Sequence, residues 1–316
     1  MLSCSLLFIA LNNRNMNVTY LTMVDVTDVV PVESNDSVWH NIRSEFELDH
    51  QVQSARVQAE IRKLLAEPEK FNQILEAATP YIYYIYQQVQ ANGLPAEIAL
   101  IPFIESEFNP KDRSHKGASG LWQLMSGTAN ELGVKVKSGY DGRRHIVSST
   151  KAAMAYFKDL GRYFKNDWYL AMAAYNCGQG RVQSVQKRTG KNSFWQLPLP
   201  KETKYYVPKL LAVAAIISNP EKYGVRLPNV TNQPYFTEVK LKKSVNLTHV
   251  AKSTDLHVDT LNKLNPDYKA GMSLKDGFHT LLVPIHKARE ISMKLKGIIA
   301  IPVVAKKQLK LITYDF

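Results

Sequence analysis

The run IPFIESEFNP at 101–110 sets one acid, Glu105, on an otherwise apolar helical stripe, and this constrains the fold more than any other feature of the chain. At about 100° per residue, Ile98, Ile101, Ile104 and Phe108 share a face, and Glu105 falls inside it. A chain with this segment buries a helix around a carboxyl, which is then at least partly desolvated. Desolvation disfavours the charged form and raises the pKa, so that a glutamate keeps a proton near neutral pH and can hand it to a leaving group. Glu107, about 200° further round, faces outward and is the weaker candidate. A glutamate that caps a helix or pairs with a core cation fits the same pattern, so the segment alone leaves both readings open.

Helical periodicity dominates the surrounding chain. Residues 54–65 alternate at helical spacing, Pro68 and Glu69 open another helix, and 74–90 carry Tyr81, Tyr83, Tyr84 and Tyr86, an aromatic stripe read as core packing rather than a sugar platform. Gly93 closes that helix and Pro95 opens the one bearing Glu105. Pro102, inside it, removes a backbone donor and is expected to kink it. The segment KGASGLWQ at 116–123 reads as a glycine-bearing turn that re-enters a helix at Leu121, and such turns let backbone approach a ligand closely. Thr150 is the expected N-cap of a helix over 151–164. A shorter buried helix over 168–176 ends at Gly178 and Gly180, and Glu202 with Thr203 starts a long apolar helix to Ser218. A negative charge at a helix N-terminus is favourable in itself, which accounts for Glu202 without any further role.

Composition shifts at 227–234, rich in proline and asparagine. Beyond it, 236–241 reads as a strand, 247–253 and 258–264 as two short helices, and 279–283 as a second strand. The tail beyond His286 is basic and apolar, with no readable role.

Lysine and arginine number 40 against 28 aspartates and glutamates, a formal charge of +12. A basic surface favours a polyanion: nucleic acid, anionic lipid or a cell-wall polymer. The basic residues are scattered and no zinc-finger or RNA-binding signature occurs, which argues against nucleic acid. The histidines show no metal-ligand spacing, and the two cysteines, Cys4 and Cys177, make no disulfide framework. The apolar run at 2–11 has the length of a signal-peptide core but lacks a basic flank, so it reads either as a leader or as a buried segment.

Four blocks, ES at 105–106, GLWQ at 120–123, AYNCG at 174–178 and ETKYYV at 202–207, stand in the order and spacing of the lytic transglycosylases, and the chain resembles the membrane-bound D type of that goose-lysozyme-like superfamily most. The likeness runs over about 39–228 and includes PYIYY at 80–84 and LPLPKET at 197–203. Four blocks together are far more specific than one motif. The resemblance implies a mainly α fold, with a lysozyme-like helical catalytic domain over 38–228 followed by a small α+β module. It makes Glu105 the catalytic acid and base, and sets Ser114, Gln123, Met125, Tyr175, Asn176 and Tyr206 at substrate-binding positions. Ser126 stands where the family often has proline, and Cys177 where alanine or serine is usual. The strand, two helices and strand over 235–285 resemble a degenerate LysM module, a fold that binds N-acetylglucosamine chains, although the usual Gly-Asp-Thr opening is missing. A signal segment at 1–20, an arm at 21–37, a linker at 229–234 and a tail at 286–316 complete the expected organisation.

The activity implied is cleavage of peptidoglycan glycan strands between N-acetylmuramic acid and N-acetylglucosamine, leaving 1,6-anhydro ends, without cofactor or metal. The enzyme is expected to be a periplasmic monomer with peripheral outer-membrane association. Lipoprotein leaders place their cysteine after the apolar run, whereas Cys4 lies near its beginning. A hydrolytic muramidase and a non-catalytic wall-binding protein are the competing readings. For the small module, a glycan tether and a packing appendage stand side by side.

Overall fold

The computed structural model describes residues 37–300 apart from 138–139, 242–243, 269–278 and 297. The leader, the arm up to 36 and the tail beyond 300 lie outside the described residues.

The first part of the chain is helical: α1 (Val38–Ser44), α2 (Ala55–Leu65), α3 (Pro68–Ala78), α4 (Ile82–Ala91), a 3₁₀ turn at Ala96–Leu100, then α5 (Ile101–Glu105) and α6 (Ser126–Glu131). A two-stranded hairpin follows, β1 (Val136–Lys137) with β2 (Tyr140–Asp141), and then α7 (Ile146–Tyr163), α8 (Trp168–Cys177), α9 (Gln179–Thr189) and α10 (Lys201–Ser218). Helix α10 is the centre of the core: Leu210, Leu211, Val213, Ile216 and Ile217 are all fully buried, and it packs against α2, α8, α1 and α5. Pro208 lies inside it, so the carbonyl of Lys204 loses its helical donor one turn from the residues that face the site. Helices α7 and α8 close tightly at Gly161, where a Cβ would come within 2.6 Å of the Trp168 ring.

Several local expectations are corrected. Residues 74–90 form two helices, because Pro80 has no N–H to continue the ladder. Pro102 does not kink a longer helix. The 3₁₀ turn gives way to α5 at Ile101, so Pro102 sits in a first turn, where its missing N–H is no loss. Leu121 does not re-enter a helix; the turn runs on and α6 begins at Ser126, a first helical position that also suits proline. Thr150 is not a cap: α7 starts four residues earlier, with His145 Nδ1 accepting from Ser148 N at 3.1 Å. Gly178 ends α8 at a φ of 89°, but Gly180 lies within α9, a largely polar helix that buries only Val182 and Val185.

The second part has the expected strand–helix–helix–strand order: β3 (Phe236–Leu241), α11 (Leu247–Ser253), α12 (Val258–Leu264) and β4 (His279–Pro284). Part of the stretch read as tail adds α13 (Ala288–Leu295) and β5 (Ile298–Ala300), giving an antiparallel sheet in the order β4-β3-β5. Side chains alternate along β4. Leu281 and Val283 enter the core of this module, with Val239, Val250, Leu261 and Ile291, while Leu282 joins Phe236 and Leu264 in the main helical core. Asn265 stitches α12 to β4, its Nδ2 donating to Leu261 O and Leu282 O and its Oδ1 accepting from Leu282 N, each at 2.8 Å. The tyrosine stripe of α4 is packing, as expected, and it packs at this junction: Tyr84 lies against Phe236 at 5.4 Å, and Tyr81 OH donates to Lys263 O at 2.9 Å.

Candidate active site

Glu105 is the last residue of α5. The amides of Ser106 and Phe108 both return to Pro102 O, at 3.2 and 3.1 Å, and the chain leaves through two successive left-handed residues, Glu107 (φ 52°) and Phe108 (φ 55°). Left-handed backbone costs a residue with a Cβ about 1–2 kcal/mol, offset here by burial of the Phe108 ring. The reversal separates the two acids. Glu107 points to solvent and pairs with Lys70 Nζ at 2.8 Å, whereas Glu105 is half-buried between α5 and α10.

Tyr206 OH donates to Glu105 Oε1 at 2.7 Å. Burial pushes the Glu105 carboxyl up to about 7; the Tyr206 hydrogen bond and Lys209 pull against that rise, and Glu202 adds to it. Lys209 lies one turn beyond Tyr206 on α10, and burial lowers its own pKa. Tyr175 stacks on Phe157, with ring centroids 4.4 Å apart and an interplanar angle of 9°, and its OH donates to Trp122 O at 2.6 Å. Burial holds both tyrosines well above the usual phenol range, so they stay neutral donors.

The turn over 114–125 faces these groups. Ser106 Oγ donates to Leu121 O at 2.9 Å, tying the acid's helix to it, and Trp122 Nε1 donates to Thr150 Oγ1 at 3.0 Å. Arg143, nearly buried, grips Asp141 through Nε and a terminal nitrogen at 2.8 and 2.7 Å, and its other terminal nitrogen donates to Gly117 O at 2.7 Å and Leu124 O at 3.1 Å. Gly120 has a φ of 83°, and a Cβ there would lie 2.0 Å from Arg143 O.

The remaining site residues divide. Gln123 (φ 45°) donates from Nε2 to Gly120 O at 2.9 Å, and Met125 stands 47% exposed at the end of the turn. Ser114 closes the loop, its Oγ accepting from Ala118 N at 3.0 Å. Asn176 joins α8 to the start of α10: its Oδ1 accepts from Thr203 Oγ1 at 2.7 Å and its Nδ2 donates to Glu202 Oε1 at 3.3 Å. Glu105, Tyr175 and Tyr206 therefore form one hydrogen-bonded and electrostatic cluster, Gln123 and Met125 lie on the turn that Tyr175 holds, and Ser114 and Asn176 use their polar groups within the scaffold. Cys177 is half-buried with its thiol pushed up by burial, which suits a packed residue rather than a nucleophile. Among the described residues no cluster of histidine, cysteine or acid could hold a metal.

Sequence reasoning missed Ser106, Asp141, Arg143 and Lys209 as contributors. The only signal for the clamp was the DGRR run at 141–144, an acid and two cations around a glycine.

The transglycosylase SLT domain family matches residues 82–198, and the LysM-like domain of lytic transglycosylase MltD matches 235–299. Membrane-bound lytic murein transglycosylase D of Escherichia coli (strain K12) is 34% identical over 277 residues, 86% of this chain and 60% of its own length. The chain thus spans about 60% of the curated relatives it matches over most of its length. A tributyltin chloride resistance protein of Alteromonas sp. (strain M-1) is 39% identical over 160 residues, 50% of this chain and 76% of its own. Among solved structures, lytic transglycosylase Slt of Pseudomonas aeruginosa is 30% identical with a TM-score of 0.36, over 45% of this chain and 24% of its own.

Proposed function

We propose, for a chain that belongs to the lytic murein transglycosylases, that it cleaves the β-1,4 bond between N-acetylmuramic acid and N-acetylglucosamine in peptidoglycan and leaves 1,6-anhydro-muramic ends. The observation that carries this reading is the half-buried Glu105 carboxyl, poised at about 7 and held through one oxygen by Tyr206.

Most glycosidases set two carboxylates across the scissile bond, with substrate-assisted families as the exception. Here the other nearby acids are engaged elsewhere, Glu107 with Lys70 and Glu202 with Lys116 and Asn176. One acid then serves twice. Protonated Glu105 donates to the glycosidic oxygen as that bond breaks, while the substrate's own acetamido oxygen closes on the anomeric carbon. Glu105, now a carboxylate, takes the proton of the C6 hydroxyl, whose oxygen displaces the acetamido group and forms the anhydro ring. The nucleophiles are tethered in the substrate, so ring orientation supplies much of the rate. Tyr175, Gln123 and Met125 line the side from which orientation is imposed, and Tyr206 keeps the acid in place. No step calls on a cofactor.

Peptidoglycan places the work in the periplasm, and the basic surface suits the lactyl and peptide carboxylates of that polymer. We read the enzyme as a monomer, peripherally associated with the outer membrane. Mass spectrometry of digested sacculi tests the reaction: anhydro-muropeptides are expected. Products one water heavier, with reducing muramic ends, would identify a muramidase instead, and sacculus binding without release would identify a non-catalytic wall protein.

A further inference from the structure

Asp267 follows Asn265 and Pro266 where the small module meets the helical domain. It is 3% exposed, and among the described residues nothing donates to its Oδ1. A buried acceptor left without a donor is uncommon enough in folded proteins to need a reason. Among the described residues the titratable groups that feel its charge are two phenols. Tyr140 of β2 and Tyr268 feel its charge, the backbones of these two tyrosines pair in an isolated antiparallel bridge, Tyr268 OH donates to Thr280 O at 2.6 Å, and Asp141 acts on Tyr140 from the same strand. Among the described residues no cation balances Asp267, and burial, opposed only by its own backbone amide, pushes its carboxyl up to about 7.

The other side of this contact leads towards the cleft. Tyr140 precedes Asp141, whose carboxylate grips Arg143, and Arg143 holds the carbonyls of Gly117 and Leu124 on the turn that carries Gln123 and Met125. The same hairpin is closed by Gly142 N donating to Lys135 O at 2.9 Å. Few bonds therefore separate the module's surface from the turn that borders Glu105.

We propose that the C-terminal module is latched to the β1–β2 hairpin at the Tyr140–Tyr268 bridge beside Asp267, and that ionisation of Asp267 loosens this latch and with it the Arg143 clamp on the cleft turn. The module then acts as a buttress of the site and not only as a tether. The part of this that concerns the cleft rests on the proposed function; the latch does not.

The direction follows from linkage. A carboxyl whose folded pKa lies above its ordinary 3.8 contributes stability that is complete below that value and is lost as pH rises through about 7. Glu105 changes in the same sense and window, and His145, held down at about 4 by burial, changes in the opposite sense below 6.5. Both are common to wild type and Asp267→Asn, so the difference between the two proteins isolates Asp267.

Amide hydrogen exchange on the full chain tests the latch. Between pH 6 and 8.5, wild-type exchange at residues 140–144 and 263–268 is expected to rise by about tenfold beyond the intrinsic pH effect, and Asp267→Asn to show no such excess. The variant's Tm is expected to match wild type only near pH 4 and to exceed it by at least about 4 °C at pH 8.5. Equal pH slopes in the two proteins, or a wild-type hairpin whose corrected exchange does not change with pH, would overturn the proposal. If the variant fails to fold, the wild-type exchange profile decides alone. None of these readouts depends on turnover, so failure of the transglycosylase assignment would appear separately, in the sacculus digests.

Discussion

Tyr206 OH stands 2.7 Å from Glu105 Oε1, so the helix that forms the centre of the core also delivers the hydroxyl that tunes the acid. Burial and this hydrogen bond act against each other. Desolvation favours the protonated acid needed for donation, and the phenol favours the carboxylate needed for the second step. A carboxyl near 7 can serve in both.

Tyr206→Phe removes only the donor that favours the carboxylate, so the Glu105 pKa should rise further. The alkaline limb of kcat/KM on soluble glycan fragments is expected to move up by about 0.5–1 pH unit, with maximal turnover falling roughly tenfold as the acid loses its anchor. A limb that moves down, or stays with wild type, would show that the tyrosine does not tune the acid.

Glu105→Gln is expected to lower turnover by at least about two orders of magnitude while preserving fold and sacculus binding, because the amide cannot donate and accept a proton in turn. Glu107→Gln should stay within about twofold of wild type, since its partner is a half-exposed lysine and such pairs contribute about 0–1 kcal/mol. A larger loss at Glu107 would reassign the acid.

The same Glu105→Gln protein should be more stable than wild type on the alkaline side. Ionised Glu105 is disfavoured in the fold, and its contribution is complete below the ordinary 4.5 and lost as pH rises through about 7. Urea unfolding at pH 8 is expected to favour the variant by about 1–3 kcal/mol, with the gap closing by pH 4.5. A gap that is constant with pH would mean that Glu105 is not held in its neutral form.

The acid was legible because buried apolar residues bracket it at short range: Ile98, Ile101 and Phe108 are buried, although of these only Ile101 lies on α5, and no distant partner is needed to reveal a glutamate among them. The module was legible for a similar reason, since its strands and helices follow one another with short connections. What escaped were long-range agreements. Tyr206, named only through the family resemblance, meets Glu105 across 101 residues, and Arg143 meets Gly117 across 26, distances over which local pattern carries no information. Thr150 looked like a cap because its type suits one. Its hydroxyl instead donates to Ile146 O at 2.7 Å and accepts the Trp122 indole, a role that only tertiary packing assigns. Helix α9 is hard to read from sequence because a mostly polar helix with two buried valines shows little periodic contrast.

Ending the chain at Pro228 would strip Phe236, Leu264 and Leu282 from the helical core and leave Tyr81 and Tyr84 open to water. Each large apolar side chain uncovered costs about 1.5–3 kcal/mol, so the truncated protein is expected to lose several degrees of Tm and to lose activity on soluble fragments as well as on sacculi. Retained Tm and soluble activity, with weaker sacculus binding alone, would favour a pure tether.

The cleft turn offers the sharpest test of the clamp, because two substitutions attack it from opposite sides. In Gly120→Ala the new Cβ would fall 2.0 Å from Arg143 O at a φ of 83°, and no rotamer change relieves a clash with backbone. A loss of about 2–4 kcal/mol is expected by urea unfolding, together with loss of turnover. Arg143→Lys keeps the charge but replaces a planar fork with a single point donor, which cannot serve Asp141 and the carbonyls of Gly117 and Leu124 together. About 2–3 kcal/mol of stability should go, since a nearly buried ion pair and at least one carbonyl lose their geometry. Turnover should fall in Arg143→Lys while the alkaline limb keeps its place, because the clamp holds the turn and does not touch the acid. A shifted limb would instead connect Arg143 to the Glu105 charge directly and contradict its role as a holder of the turn.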